Sequence, residues 1–303
     1  MSNVKKTDQN SIIKGVNLLQ NNDVIAIPTE TVYGLAAHIH SDTAIQKIFE
    51  IKNRPQDHPL IVHCCDLEMA CNYAIFSEMA IEIANAFWPG PLTLILQKTD
   101  KTPYTVTGGK DSVGIRIPQN DDTLEIIKQL QSPIVAPSAN RFGKVSPTNS
   151  QHVKDDLGEE IFVIDGGDCL IGLESTILDL YNGPSILRPG KITPEEILPY
   201  TKKLISSTTV ASGTLQDHYQ PNTPVLLSQT PDILAQNLKM QGYKIAILPQ
   251  ISPTIDAQKL YHNLRQLDRL NIDYIIAQPS TLTGIGIAIT DRLQKASYKI
   301  HNS

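Results

Sequence analysis

The sequence predicts an α/β protein in two unequal parts: a large mixed sheet with interleaved helices, then a smaller parallel α/β unit. Three observations carry that reading. Between residues 24 and 188, short apolar runs alternate with stretches of helical period, the pattern of a sheet with helices packed on it. A segment rich in Ser, Thr, Gly and Pro, SSTTVASGTLQDHYQPNTP at 206–224, interrupts the pattern. Beyond it, apolar runs and helical stretches alternate again, as in a βαβ arrangement. At 303 residues, 41% hydrophobic and 19% charged, the chain can bury one large core or two ordinary ones.

The elements follow in order. Val24-Ile25-Ala26-Ile27 reads as a strand, and 42–52 as a helix with Ile45, Ile48 and Phe49 on one face. Further strands are expected at 60–64, 93–97, 112–117, 133–136, 161–164, 175–180 and 185–188, with helices at 77–87 and 122–130. Thr193-Pro194-Glu195-Glu196 has the threonine cap, first-turn proline and third-position glutamate of a short helix start. The division is thus 1–205 for the large domain, 206–223 for a linker and 224–303 for a small parallel, Rossmann-like domain. In the latter, VLL, KIAIL and YIIA read as strands, between helical stretches 231–241, 256–270 and 285–297. Leu260, Leu264 and Leu267 share helical spacing, with Arg265 and Arg269 on other faces. No motif in this second unit points to chemistry.

Bulk properties exclude several classes. The formal net charge of −5 offers no general attraction for nucleic acid, so an anionic ligand needs a local cluster of cations. No apolar run approaches the roughly 18–20 residues of a membrane span, and MSNVKKTDQN lacks a secretory apolar segment. A soluble, cytoplasmic protein is expected. Cys64, Cys65, Cys71 and Cys169 form neither a C-x-x-C pair nor a metal-ligand spacing, as suits a reducing compartment.

Six stretches bear polar groups where a ligand could meet the sheet. In IPTETVYGL (27–35), Thr29, Glu30, Thr31 and Tyr33 follow a strand end. From these residues alone, a polar turn with satisfied hydroxyls is the favoured reading. EIKNRPQDHPLIVH (50–63) is more informative. Lys52 suits a helix C-terminus on electrostatic grounds, but Arg54 has no such explanation. With Pro55 expected to hold Asn53 and Arg54 extended, two cations and an amide are preorganised for a phosphate or carboxylate. APSANRFGKVSPT (136–148) is a small, partly basic loop able to approach a nucleotide, though it is not a P-loop. VGIRIP places Arg116 inside a strand, facing away from Ile115 and Ile117; it is either at the surface or in need of an anionic partner. LESTILDL and ILRPG put Glu174, Ser175 and Arg188 at strand ends. No Ser-His-Asp order, paired carboxylates or metal cluster stands out, and a lone His63 fits a satisfied strand-end residue. The inventory describes a site that binds and orients anions without a protein nucleophile.

PTETVYGL, K-x-R-P-x-D-x-P-L-I-V-H, GIRIP, APSAN, SPT and LESTILDL occur in the order found in YrdC-like L-threonylcarbamoyladenylate synthases. The resemblance spans about residues 12–200, and the tail, with KLYHNLRQLDRLNIDYIIAQ, resembles the extra domain of the longer, two-domain members. It implies an open, twisted mixed sheet with a wide, positively lined cavity. It also implies a reaction: L-threonine, bicarbonate and ATP give threonylcarbamoyl-AMP and pyrophosphate. The product would feed N6-threonylcarbamoyladenosine formation beside the anticodon of ANN-decoding tRNAs, through a downstream threonylcarbamoyl transferase. Magnesium is the implied cofactor, accompanying ATP; weak RNA contact is compatible, membrane contact is not. Carried over by position, Thr31, His63, Arg116, Ala136 and Ser175 fall in the threonine and carbamate site. Lys52, Arg54, His58, Ser112, Ser138, Asn140, Ser146 and Arg188 fall in the nucleotide site, and Tyr219 of the linker folds over it. Lys52 and Arg54 are assigned to phosphate charge and Arg116 to the threonine carboxylate. The chain departs from the family at His58, usually asparagine, at Asn53, often glycine, and in a linker that lacks its usual basic residues at 213–219.

Two other classes fit the sequence less well. An RNA-binding module on this fold is disfavoured by the acidic charge and the lack of an aromatic-basic surface motif. Carbamoyl-transfer relatives carry cysteine-rich zinc segments, which this cysteine spacing excludes.

Overall fold

The computed structural model describes residues 7–206, 213 and 218–297. Helix α1 (Gln9–Gln20) opens the chain, followed by strands β1 (Ile25–Ile27) and β2 (Gly34–His38) as an antiparallel pair. Next come α2 (Asp42–Lys52), β3 (Ile61–His63), α3 (Leu67–Tyr73), β4 (Ala74–Ile75), α4 (Glu78–Phe87), β5 (Leu92–Lys98) and the single turn α5 (Tyr104–Thr107). The large domain continues through β6 (Ser112–Arg116), α6 (Asp121–Leu130), β7 (Ile134–Val135), α7 (Ser150–Leu157) and β8 (Phe162–Val163). It ends with β9 (Thr176–Asp179), β10 (Ser185–Arg188) and α8 (Pro194–Thr201). The second unit comprises β11 (Val225–Leu227), α9 (Pro231–Met240), β12 (Ile245–Ile247), α10 (Pro253–Asp268), β13 (Tyr274–Ala277) and α11 (Gly286–Ala296).

Ten strands form one mixed sheet in the order β10-β9-β5-β6-β3-β7-β2-β1-β8, with β4 added beside β5. The predicted mixed α/β class is thus observed. One apolar cluster gathers Ile45, Ile48 and Phe49 of α2 with Ile83 and Ala84 of α4 over the sheet. A second joins Ile12, Val16 and Leu19 of α1 to Ile126, Ile127 and Leu130 of α6. Each such leucine or isoleucine, taken fully out of water, stabilises the fold by about 1.5–3 kcal/mol. The second unit has a three-stranded, all-parallel sheet, β11-β13-β12.

The two units share a packed junction. The cluster around Leu260, Tyr261 and Leu264 of α10 also takes in Val32, Val145 and Leu173 of the large domain. Arg265 pairs with Asp156 and donates to the Val145 carbonyl, and Arg269 pairs with Asp155. The two arginines that the helical spacing sets apart from the leucine face therefore reach across to α7.

Local differences from the sequence reading have physical causes. Helix α1 was not anticipated, although Ile12, Val16 and Leu19 fall on one face and Asp8 caps its start. Helix α10 begins at Pro253, three residues before the expected start at 256, because proline is pre-set for a first helical turn. The expectation that Pro55 holds Asn53 extended is wrong. Asn53 ends α2 in the left-handed region, at φ 53° and ψ 46°; the steric restriction acts only on Arg54, the residue directly before proline. The capping box at Thr193 and Glu196 forms as read.

Candidate active site

The stretch that stands out in the sequence, between α2 and β3, builds one wall of a buried cavity. Lys52 is 1% exposed, and its ammonium donates to the carbonyls of Ser138 and Asn140, at 2.6 Å each. Its own carbonyl accepts from Phe142 N–H at 2.8 Å, so the α2 terminus and the 138–142 loop are stitched together. Burial and the neighbouring Arg54 hold its pKa well below the usual lysine value. Arg54 donates to the Pro59 carbonyl at 3.0 Å and lies over the Phe142 ring, 5.5 Å from its centroid. Burial draws its guanidinium down to about 10, which leaves it charged at neutral pH. Among the described residues neither cation has a carboxylate ion-pair partner, and Arg54 Nε and Asn140 Oδ1 are buried without hydrogen-bond partners.

The centre of the sheet supplies a further part of the lining. Parallel strands β3 and β6 put His63 and Arg116 in register. His63 is buried, with Nδ1 3.1 Å from the Ile61 carbonyl. Burial and the adjacent Arg116 lower its pKa to about 3, so it presents a neutral ring with Nε2 as acceptor. Arg116 is 4% exposed; its Nε donates to Gly90 O and its Nη1 to Thr31 Oγ1, each at 3.0 Å, and its Nη2 forms an ion pair with Glu30 Oε1 at 2.6 Å. The anionic partner that its place in the sheet demands is thus Glu30. A carboxylate ligand here meets an arginine already paired, alongside the Thr31 hydroxyl.

At the β9 and β10 ends, Arg188 donates to Ser175 through both Nε to its carbonyl and Nη2 to its hydroxyl, at 3.0 Å each. Ser175 Oγ also shares a hydrogen bond of 2.7 Å with Thr93. Glu174 lies beside them, buried. Burial alone would raise its carboxyl, but Arg292, Arg188 and the Ser146 hydroxyl outweigh that and hold it at about 2. From the linker, Tyr219 enters with its backbone at φ 64°, an uncommon conformation for a bulky residue. Its ring lies 4.3 Å from His218, which in turn meets Phe142 edge-on. Gly213, at φ 75°, fits so closely under the Tyr219 hydroxyl that an added Cβ would come within 2.2 Å of it.

The structure brings most of the predicted residues to this one cavity. Thr31, His63, Arg116, Ala136 and Ser175 line it, as do Lys52, Arg54, Ser138, Asn140, Arg188 and Tyr219. Three do not. His58 packs behind the wall with its ring edge-on to Phe142 at 5.2 Å. Ser112 begins β6 opposite Gln97, four residues before Arg116, at the other end of the strand. Ser146 is fully buried and donates to Glu174 at 2.6 Å, one step removed from the cavity. Unassigned by sequence reasoning were Phe142, His218 and Glu174, all of which line it. For Glu174 a signal existed, since it directly precedes Ser175 in LESTILDL. The linker positions Thr214, Leu215, Gln216 and Asp217, where the family's basic residues are missing, lie outside the described residues.

Comparison with known proteins places this geometry. Residues 17–190 match the Sua5–YciO–YrdC family model, described as telomere recombination. The chain belongs to this family. The resemblance read from the motifs is borne out. Residues 192–297 match a second model, described as the threonylcarbamoyl-AMP synthase C-terminal domain. The chain is 37% identical to a threonylcarbamoyl-AMP synthase of Pyrococcus abyssi, the match covering 93% of each chain. It is 36% identical to one of Bacillus subtilis, covering 96% of this chain and 94% of that one. The P. abyssi Sua5 crystal structure complexed with L-threonine superposes with a TM-score of 0.90 at 34% identity, over 97% of this chain and 96% of that one. Within the Sua5–YciO–YrdC family, then, this chain resembles the two-unit members along nearly its whole length.

Proposed function

We propose that the chain is a threonylcarbamoyl-AMP synthase, which joins L-threonine, bicarbonate and ATP into threonylcarbamoyl-AMP and releases pyrophosphate. The observation that carries this reading is the pair of buried cations, Lys52 and Arg54, without carboxylate partners among the described residues, lining one cavity with His63, Thr31 and Ser175. Buried charge of that kind is costly until an anionic ligand arrives. Threonine's amine adds to bicarbonate to give a carbamate and water. A carbamate oxygen then attacks the α-phosphorus of ATP, forming the P–O bond as the bond to pyrophosphate breaks. No side-chain nucleophile is needed; the protein must hold two anions together and disperse their charge. Lys52 and Arg54 meet the phosphates, with Arg188 beside Ser175 and Asn140 Oδ1 facing the nucleotide. Arg116 and Thr31 receive the amino acid, and the neutral His63 accepts a hydrogen bond without adding repulsion.

The residues present fit magnesium as part of the substrate. Glu30 and Glu174 are both engaged by arginines, and among the described residues no group of three His, Cys, Asp or Glu side chains could hold a metal ion. Magnesium bound to the triphosphate screens the departing pyrophosphate. We place the enzyme in the cytoplasm, where four free cysteines stay reduced, and its product with a tRNA-modifying transferase; direct RNA contact is weak at a net charge of −5. Among the described residues no helix is long and apolar enough to cross a membrane.

Pyrophosphate release from ATP tests the proposal. It should require threonine and bicarbonate together, and release that ignores threonine would overturn the reading.

A further inference from the structure

Glu174 is met by three donors. Ser146 Oγ lies 2.6 Å from one carboxylate oxygen; Tyr261 OH and Arg292 Nε each lie 2.8 Å from the other. The latter two belong to the second unit, on α10 and α11, 87 and 118 residues further along the chain. Both are buried, at 0% and 1% exposure. Hydrophobic packing of the junction does not require a guanidinium and a phenol there, since burying either costs free energy unless it is paired. The same two side chains also hold the linker: the Arg292 guanidinium lies 5.0 Å from the Tyr219 ring centroid, and Tyr261 stacks on Tyr219 at 5.8 Å. Arg292 further donates to the carbonyl of Pro189, the residue after Arg188.

We propose that Tyr261 and Arg292 are positioning residues of the active site, acting through Glu174 to keep Arg188 directed at the nucleotide. Glu174 lines the same cavity as Arg188, Ser175 and Tyr219. With its carboxylate satisfied by the second unit, Arg188 keeps its two-point hold on Ser175. Remove Arg292, and the buried carboxylate turns to Arg188, the remaining cation whose field it already feels. The guanidinium is then drawn off Ser175 and off the phosphates. The second unit, on this account, completes the nucleotide site from behind.

The inference rests on the cavity being an ATP site, so the test separates the two claims. Binding of ATP to the full chain is measured by calorimetry, and the KM for ATP and for threonine by pyrophosphate release. Arg292→Met should weaken ATP binding about tenfold, as expected when a charged hydrogen-bond partner is lost from a buried acid, and leave the threonine KM near wild type. Adding Glu174→Gln to that variant should restore ATP affinity, because no buried charge remains to compete for Arg188. Tyr261→Phe, which removes one hydroxyl and preserves packing, should weaken ATP binding in the same direction but less. Wild-type ATP affinity in Arg292→Met or in Tyr261→Phe, or no recovery with Glu174→Gln, would overturn the proposal. A wild type that binds ATP yet releases no threonine-dependent pyrophosphate defeats the functional reading alone, since the affinities still decide this one.

Discussion

At the residue scale, the cavity is defined by how each charge is answered. Arg116 has Glu30 and Arg292 has Glu174, whereas Lys52 and Arg54 are held by carbonyls and an aromatic face. That contrast supports the proposed role of the second pair, meeting ligand charge. Arg54→Ala should raise the KM for ATP about tenfold to a hundredfold, the range for losing a charge-assisted hydrogen bond of about 1.5–3 kcal/mol. Ser112→Ala, at the far end of β6, should leave it unchanged. Steady-state kinetics at fixed threonine checks both. Arg54 could be singled out from sequence because nothing local explained it. Glu174 stood out only as a polar residue at a strand end; its pairing was not legible, because its partners Tyr261 and Arg292 stand far along the chain and look like ordinary helix residues.

At the element scale, what was legible were segments whose own pattern determines them. Helix α2 shows its apolar face, α6 its asparagine cap and acidic first turn, and α8 its capping box. Strands β7 and β8 fall within the runs expected at 133–136 and 161–164, whereas β4, also two residues long, carries too little period to be found from sequence; the pairing of all three depends on distant neighbours. Helix ends offer a direct test of the backbone argument. Gln131 ends α6 in the left-handed region at φ 54° and is exposed, with no glycine to relieve the strain. Gln131→Gly should therefore stabilise the chain by about 1 kcal/mol, less whatever the added chain entropy removes. Urea unfolding of the two proteins measures it, and a destabilised variant would contradict the strain.

At the scale of the whole molecule, three histidines among the described residues are buried in neutral form. Burial holds His63 and His218 at about 3 and His152 at about 4, against an ordinary value of 6.5. The unfolded chain therefore binds more protons than the folded one between these limits. The stabilisation is complete above about pH 6.5, where the unfolded histidines are neutral too, and is lost progressively as pH falls toward 3–4. The free energy of unfolding should be lower at pH 5 than at pH 7.5. A flat or rising profile on acidification would show that these rings are charged, or exposed, in the folded state.

The reach of α11 into the large domain bears finally on inheritance. A carboxylate answered by another domain makes a change in either unit felt in the other. Exchange of the second unit between relatives preserves the nucleotide wall only if an arginine arrives at position 292 with it. Loss of that unit leaves Glu174 as a liability until it, too, is replaced. If Tyr261 and Arg292 act as proposed, the boundary between the units, so plain in the sequence, is no boundary in the cavity wall, because two of the three donors to Glu174 come from beyond it.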